Sequence, residues 1–479
     1  MVVATFSCDG FSNSMKISIL LLVLLALTSH SATSYRIEPS VQKARGVKQA
    51  LDIRGGAKKR QVNKKIPVFK PSTTGASIPN EIFNLVKAIV GVGVLSLPAG
   101  VAAFGNAPSA MVPAAVLIGI IGILSAYGFS LIGRVCCYTG ATSYRDAWSK
   151  SVGEETSWIP AWSTTIKTFM ACTAFSMVLA DTFSALLGNS RNPTLLAVTG
   201  LILLPLCLLK NLSSLAPFSL LGVMGMGYTA LAMGVRYLDG TYSLPDGSLV
   251  TDIAEKLQPS FGDKGIEAVF AAPSLILVCM LSTAYLAHFN AAKFYVELKN
   301  NTMQRFNQVV SWSFGISILL MGTMTMLGFL TFGENSSGLV LNNYSTNDLW
   351  MSGSRVAVAV SLVFSYPLAF VGCRDGLLEL LKFSPEKRTP MNLNLLTVTL
   401  LSVITFLACT LTDVSFVLAF AGATLGNALT YVYPALMYRA VVKNQGRTGE
   451  SVGVNVALSS ACLGIIMGAV GAVMAWKNK

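Results

Sequence analysis

Apolar residues fill eleven long stretches of the chain, and polar residues gather in the gaps between them. The stretches fall at about 78–104, 110–134, 161–187, 194–209, 213–237, 266–291, 308–332, 354–380, 391–411, 414–440 and 452–476. One of them, WSFGISILLMGTMTMLGFLTF at 312–332, carries no charge over 21 residues. That length crosses a hydrocarbon layer about 30 Å thick. A helix bonds its own backbone inside lipid, so each stretch predicts a transmembrane helix. The short alternating segments of a transmembrane β-barrel are not seen. The expected fold class is an all-α membrane protein with eleven spans, the fourth being the shortest.

Composition agrees. The chain of 479 residues is 53% hydrophobic and 12% charged, against about 25% charged in a soluble domain. Nine cysteines are scattered, mostly within spans, without a Cys-x-x-Cys pair. That excludes a disulfide framework and a zinc site. Only His30 and His288 are histidines, and neither a nucleophile motif nor a P-loop occurs. The sequence therefore points to no enzyme, no cofactor and no direct ATP coupling.

The first 75 residues read differently. Lys16 precedes a 13-residue apolar core, ISILLLVLLALTS, which ends near small residues. The segment 1–34 resembles a secretory signal peptide, with Ala32-Thr33-Ser34 as its cleavage site. Residues 35–75 hold eleven Lys or Arg against Glu38 and Asp52, which is net +9 of the chain's +13. The excess charge is local and gives no argument for nucleic acid. Such a segment is expected to be disordered, as a transit peptide or as a tail on anionic lipid. The domain proper runs over 78–478. Loops on the side where the first span begins carry fourteen Lys or Arg, and the opposite loops carry seven. The positive-inside bias places that side inward, whereas a cleaved signal would place it in a lumen. A signal followed by a transit segment, addressing a plastid envelope, resolves the conflict. A non-functional signal on a plasma-membrane or vacuolar protein resolves it equally.

Several stretches carry a family resemblance. EIFNLVKAIVGVGVLSLPAGVAAFG resembles the first helix of the amino acid/auxin permease family, and SMVLADTFSALL (176–187) its third. AHFNAAKFYVELKNNTMQRF (287–306) is similar to the end of helix six and the loop after it, and FLTFGEN (329–335) to the end of helix seven. SRVAVAVSLVFSYPLAFVGCRDGLLELL (354–381) and TDVSFVLAFAGATLGNALTYVYPALMY (412–438) resemble helices eight and ten. The resemblance covers about 78 to 441. It implies two inverted five-helix repeats plus one helix, with helices one and six broken at mid-membrane and the substrate between the repeats. The implied function is secondary active transport of amino acids by alternating access. An auxin-like or other organic-acid permease is the alternative within transport. An amino-acid sensor without flux is the alternative outside it, and a sensor is expected to carry an ordered soluble extension that residues 35–75 do not resemble.

The same motifs single out residues. Gly91, Val92, Gly93 and Val94 mark the expected break, where freed N–H groups suit a substrate carboxylate. Close packing of helices through small residues is the plainer reading. The partner break is expected within 278–286, where no glycine stands. Ser282, Thr283 and Asn427 are candidate polar groups of the pocket. Lys87 is costly at mid-membrane, by about 2.5–3.5 kcal/mol on insertion scales. It either snorkels to the headgroups or stands where sodium-coupled relatives carry asparagine, which argues for proton rather than sodium coupling. Asp181 is a proton-relay candidate or a helix-end charge. His288 suits pH-dependent transport or a structural bond. Ser361 and Ser365 share a helix face, as sodium ligands by resemblance or as helix-to-helix bonds. The expected partners are an amino acid, a proton or sodium ion, and the bilayer.

Overall fold

The computed structural model describes residues 75–208, 218–381, 383 and 389–477. The segments 1–34 and 35–75, apart from Gly75, lie outside them. The described chain is helical. Its β structure is limited to two isolated bridges, Ala76 to Leu298 and Ser260 to Gly333.

Helix α1 (Ile78–Ile89) starts behind Ser77 with Pro79 in its first turn, where the missing proline N–H costs nothing. A 3-10 segment, Val92–Ser96, leads into α2 (Leu97–Ala102). Helix α3 (Met111–Thr139) ends at Gly140, whose φ of 63° is the left-handed cap that glycine tolerates. The short α4 (Tyr144–Ser151) is capped by Ser143. Helix α5 (Trp158–Leu187) ends at Gly188 in the same left-handed way. Then come α6 (Arg191–Val198), a π-helical turn (Thr199–Leu203), α7 (Leu204–Cys207) and α8 (Phe218–Leu238). After a long loop come α9 (Ser274–Ala284), α10 (Ala291–Glu297) and α11 (Met303–Phe332), the last capped by Thr302. Helices α12 (Leu349–Leu380) and α13 (Pro390–Thr410) follow. Helix α14 (Val414–Ala421) is capped by Asp413, whose carboxylate accepts from Ser415 N and Phe416 N. Two π-helical segments, Gly422–Gly426 and Ala428–Val432, join it to α15 (Tyr433–Asn444), and α16 (Ser451–Lys477) ends the described chain.

Among the described residues, eight helical stretches are long and apolar enough to cross a membrane. The pair Ile78–Ile89 and Val92–Ala102, bent by 43°, makes a ninth if taken as one span. The other two expected spans appear as the shorter apolar helix Arg191–Cys207 and as the 21-residue α8. The sixth expected span is shorter than the apolar run suggests. Residues Ile266–Phe270 form a 3-10 turn, and the helix begins at Ser274.

Helix α12 lies against α5 and α8, α11 lies against α3 and α1, and α9 lies against α14 and α16. Glycines allow the closest of these approaches. A methyl group added to Gly422 would fall 1.8 Å from Cys279 O, and one on Gly128 would fall 2.2 Å from Thr430 O. At the far end of α8, Arg236 bonds both Asp348 oxygens (2.8 and 2.9 Å), and Tyr242 OH donates to the same carboxylate. Asp348 also caps α12 through Trp350 N. The buried Arg355 donates to the carbonyls of Leu341 and Tyr344, which ties this end of α12 to the loop before it.

Candidate functional site

The first helix opens where the sequence expects it to. Val90 N bonds Val86 O as the last helical contact, and the backbone then turns extended at Val90 (φ −81°, ψ 94°) and Gly91 (φ −123°, ψ −166°). Among the described residues, the N–H groups of Gly91, Val92 and Gly93 have no acceptor. Val94 N bonds Gly91 O and restarts the helix as 3-10. The Val92 and Val94 side chains are buried, so these residues offer backbone to the site and side chain to the core. Gly91 is exposed, and a methyl group added to it would meet nothing within 4 Å. Its φ and ψ are open to any residue, so glycine serves here by leaving space rather than by permitting an unusual turn. Gly93 is in ordinary contact with Ala284 and Leu418.

The second interruption begins inside the expected window, near its end. Residues 278–284 are continuous helix, and the chain leaves it at Tyr285, the edge of the expected window. Ala287 (φ −119°, ψ 6°) and a 3-10 turn, His288–Asn290, separate α9 from α10. Side chains hold this break. Tyr285 OH donates to Ile118 O at 3.2 Å, and His288 Nε2 lies 2.9 Å from Ser125 O. Both acceptors belong to α3. His288 is fully buried against Phe129 and Phe314, and its Nδ1 has no hydrogen-bond partner. A carbonyl can only accept, so Nε2 is the nitrogen that carries the proton of this bond.

Lys87 and Ser361 both approach Gly222. A methyl group placed on Gly222 of α8 would lie 2.6 Å from Ser361 Oγ and 3.8 Å from Lys87 Cε. The lysine, half-buried, thus lies against the same point of α8 as Ser361 of the helix that carries both candidate serines. Ser365 stands one turn further along α12 and is half-buried.

Other expected site residues are engaged elsewhere. Asp181 accepts from Arg191 Nε at 2.5 Å and from Asn342 Nδ2 at 3.1 Å, so both its oxygens are used. Arg191 also donates to Ala408 O, and the carboxylate ties α5 to α6 and α13. Ser282 Oγ donates to Val278 O, and Thr283 Oγ1 donates to Leu418 O at 2.7 Å. Asn427 is buried next to Gly468 of α16, and neither amide atom has a hydrogen-bond partner.

The sequence reading passed over three residues that the structure brings forward. Lys167 stands within α5 with its Nζ 4.7 Å from the centre of the Phe289 ring. Its charge inside an apolar stretch was the available signal. Glu81 is 2% exposed and leaves Oε2 unbonded. Tyr431 OH stands 3.3 Å from Ser125 Oγ and 3.5 Å from Ser282 Oγ, joining α3 to α9, and no sequence pattern marks it.

Beyond the first break, a cleft opens between α2, α9 and α14, lined by Ala99, Met280, Phe416, Asp413 and Glu334. Hydrogen bonds from Asn106 Nδ2 (2.9 Å) and Ser260 Oγ (2.7 Å) hold the Glu334 carboxyl below the usual carboxylate range.

A family model described as "Transmembrane amino acid transporter protein" matches residues 74–476. The chain belongs to that family. The chain is 24% identical over 394 residues to "Amino acid transporter AVT6E" of Arabidopsis thaliana, covering 77% of each chain. It is 25% identical over 298 residues to "Vacuolar amino acid transporter 7" of Saccharomyces cerevisiae, covering 60% of this chain and 56% of that one. It is 24% identical over 395 residues to "Sodium-coupled neutral amino acid symporter 2" of Danio rerio, covering 78% and 77%. The family is one of membrane transporters rather than enzymes. This member is a multi-pass integral membrane protein, and amino acid transport is what its relatives support.

Proposed function

We propose that the chain is a secondary active amino acid transporter that works by alternating access and couples to protons rather than sodium. The observation that carries this reading is the break at Gly91. Three consecutive N–H groups without acceptors stand at the start of a half-helix, beside the open space at Gly91, where the helix dipole favours an anion. An amino acid's carboxylate fits that arrangement. Eleven spans in two inverted repeats are the architecture we assign, with α1–α2 and α9–α10 as the broken members.

The coupling assignment rests on Lys87. Its chain reaches Gly222 beside Ser361, a site that a sodium ion would otherwise occupy in the resembling proteins. A fixed ammonium there holds α1 against α12 without a metal ion, and its proton is free to leave in the cycle. Asp181 is assigned no part in the proton route, because Arg191 and Asn342 already engage it. We assign the protein to an internal membrane, plastid envelope or vacuole, with the loops that carry most lysine and arginine facing the compartment where α1 begins.

Uptake of labelled amino acids into proteoliposomes tests this. Uptake should follow an imposed proton gradient in sodium-free medium. Lys87→Arg keeps the charge but cannot titrate usefully, so it should abolish the response to the proton gradient while leaving the protein folded. An absolute requirement for sodium would overturn the coupling assignment.

A further inference from the structure

Lys167 has no role in the site described above, yet its placement is specific. It stands nine residues (158 to 167) past the start of α5, roughly 14 Å along the helix axis at 1.5 Å per residue. Phe289 stands eight residues (289 to 297) before the end of α10, roughly 12 Å by the same measure. Both elements begin or end on the side richer in lysine and arginine, so the two residues share a depth. That depth is on the inner side of the first break, and Phe289 lies within the second. Lys87 stands nine residues past Ile78, at the same level.

The pair bridges a fixed element and an irregular one. Lys167 belongs to the unbroken α5, whose Ser163, one turn earlier, bonds Tyr433 OH at 2.8 Å. Phe289 belongs to the interruption between α9 and α10. Its neighbours Leu286, Ala287 and His288 are buried, whereas Phe289 and Asn290 are half-exposed, and Lys167 is half-exposed as well. Ammonium and ring therefore belong to residues that the surrounding helices cover only in part. Among the described residues, Lys167 has no carboxylate partner. An intramembrane ammonium is costly when its charge is unmatched, and an aromatic face compensates it only partly. The position suits an ammonium that exchanges a weak neutral partner for a stronger anionic one.

We propose that Lys167 and Phe289 form the inner gate of the substrate path, and that the Lys167 ammonium receives the substrate's carboxylate as the substrate leaves toward the inner side. This rests on the transport reading given above. With substrate bound, its carboxylate is held by the Gly91–Gly93 amides and the Phe289 ring covers Lys167. On release, the carboxylate needs a partner below the break. The ammonium supplies one by giving up the ring, and Phe289 moves aside with the interruption that carries it. A closing step returns the ring to the ammonium.

The test uses the full chain in proteoliposomes of known orientation and the labelled amino acid that the wild type carries best. Flux is measured separately from the outer and the inner face. Lys167→Met should raise the half-saturating concentration at the inner face about tenfold, the loss of one charge-assisted bond, and leave the outer face unchanged. Lys167→Arg keeps the charge and the stacking and should restore wild-type values. Phe289→Leu removes the competing ring and should lower the inner-face value. Equal changes at both faces, no change at either, or failure of arginine to rescue would overturn the gate and leave Lys167 as a packing residue. Wild-type vesicles that move no amino acid would overturn the transport reading itself, and the gate with it.

Discussion

The two interrupted helices reach a similar outcome by opposite means. The break after α1 is made by backbone and emptiness. Gly91 has no atom within 4 Å of where its side chain would be, and the N–H groups of Gly91, Val92 and Gly93 are left without acceptors. The break after α9 is made by side chains and contact. Tyr285 and His288 reach carbonyls of α3, and Gly128 lets Thr430 O and the His288 ring come close to that helix. A break that leaves polar groups unsatisfied beside open space is suited to bind a ligand. A break anchored by side-chain bonds to a neighbouring helix is suited to transmit movement between helices. On the proposed reading, the first interruption is the receptor and the second the hinge.

Three substitutions test this division, beginning with the largest effect. Gly128→Ala would place a methyl group 2.2 Å from Thr430 O and 3.2 Å from His288 Nε2. It should cost about 3 kcal/mol of stability, as overpacking against backbone does, seen as a lower melting temperature in detergent. An unchanged melting temperature would show that the hinge does not depend on this approach. Gly91→Leu is the counterpart at the receptor. Its backbone conformation is ordinary and its surroundings are open, so stability should stay within about 0.5 kcal/mol. Uptake should nevertheless fall about tenfold, because the side chain covers the free N–H groups. A melting temperature that falls together with activity would make Gly91 a packing residue instead.

The smallest effect concerns the tie at the far end of the first broken helix. Glu334 accepts from Asn106, just beyond α2, and from Ser260. Those bonds lower its carboxyl in the folded state, so their contribution is present above the unfolded carboxylate range and fades as pH falls through the lowered folded value. Glu334→Gln should therefore melt slightly below wild type at neutral pH, and the difference should close as the medium drops below about pH 4. A difference that grows in acid would mean the carboxylate is not held by these bonds.

The membrane class and most helix positions were legible in the sequence because a span announces itself by composition alone. A run without charge such as 312–332 cannot be anything but a helix in lipid, and it lies within α11. The end of α3 was not legible, since the apolar run stops near 134 while the helix continues to Thr139 and its glycine cap at Gly140. The break at Gly91 was legible, since two glycines within three residues mark a weak point in any helix. The second break was legible only as a window, 278–286, because nothing in LILVCMLSTAYLAHF weakens a helix locally.

Among the site residues, Lys87 and Ser361 were named separately from the sequence, and only the fold brings them to one point over Gly222. Asp181 and Asn427 were named from their polarity in apolar surroundings. Polarity says that a group needs a partner and not which one it finds. Asp181 found Arg191, ten residues on, and Asn342, while Asn427 was packed against α16. Lys167 was hidden for the same reason, since its ring partner lies more than a hundred residues away. The sequence by itself determined that this chain lives in a membrane, where its helices run and where the first one opens. These follow from transfer energies and backbone freedom, which act residue by residue. The tertiary structure decided where the second helix opens and which charged groups face one another. Both depend on hydrogen bonds and contacts between helices remote in the chain, whose distances no local pattern encodes.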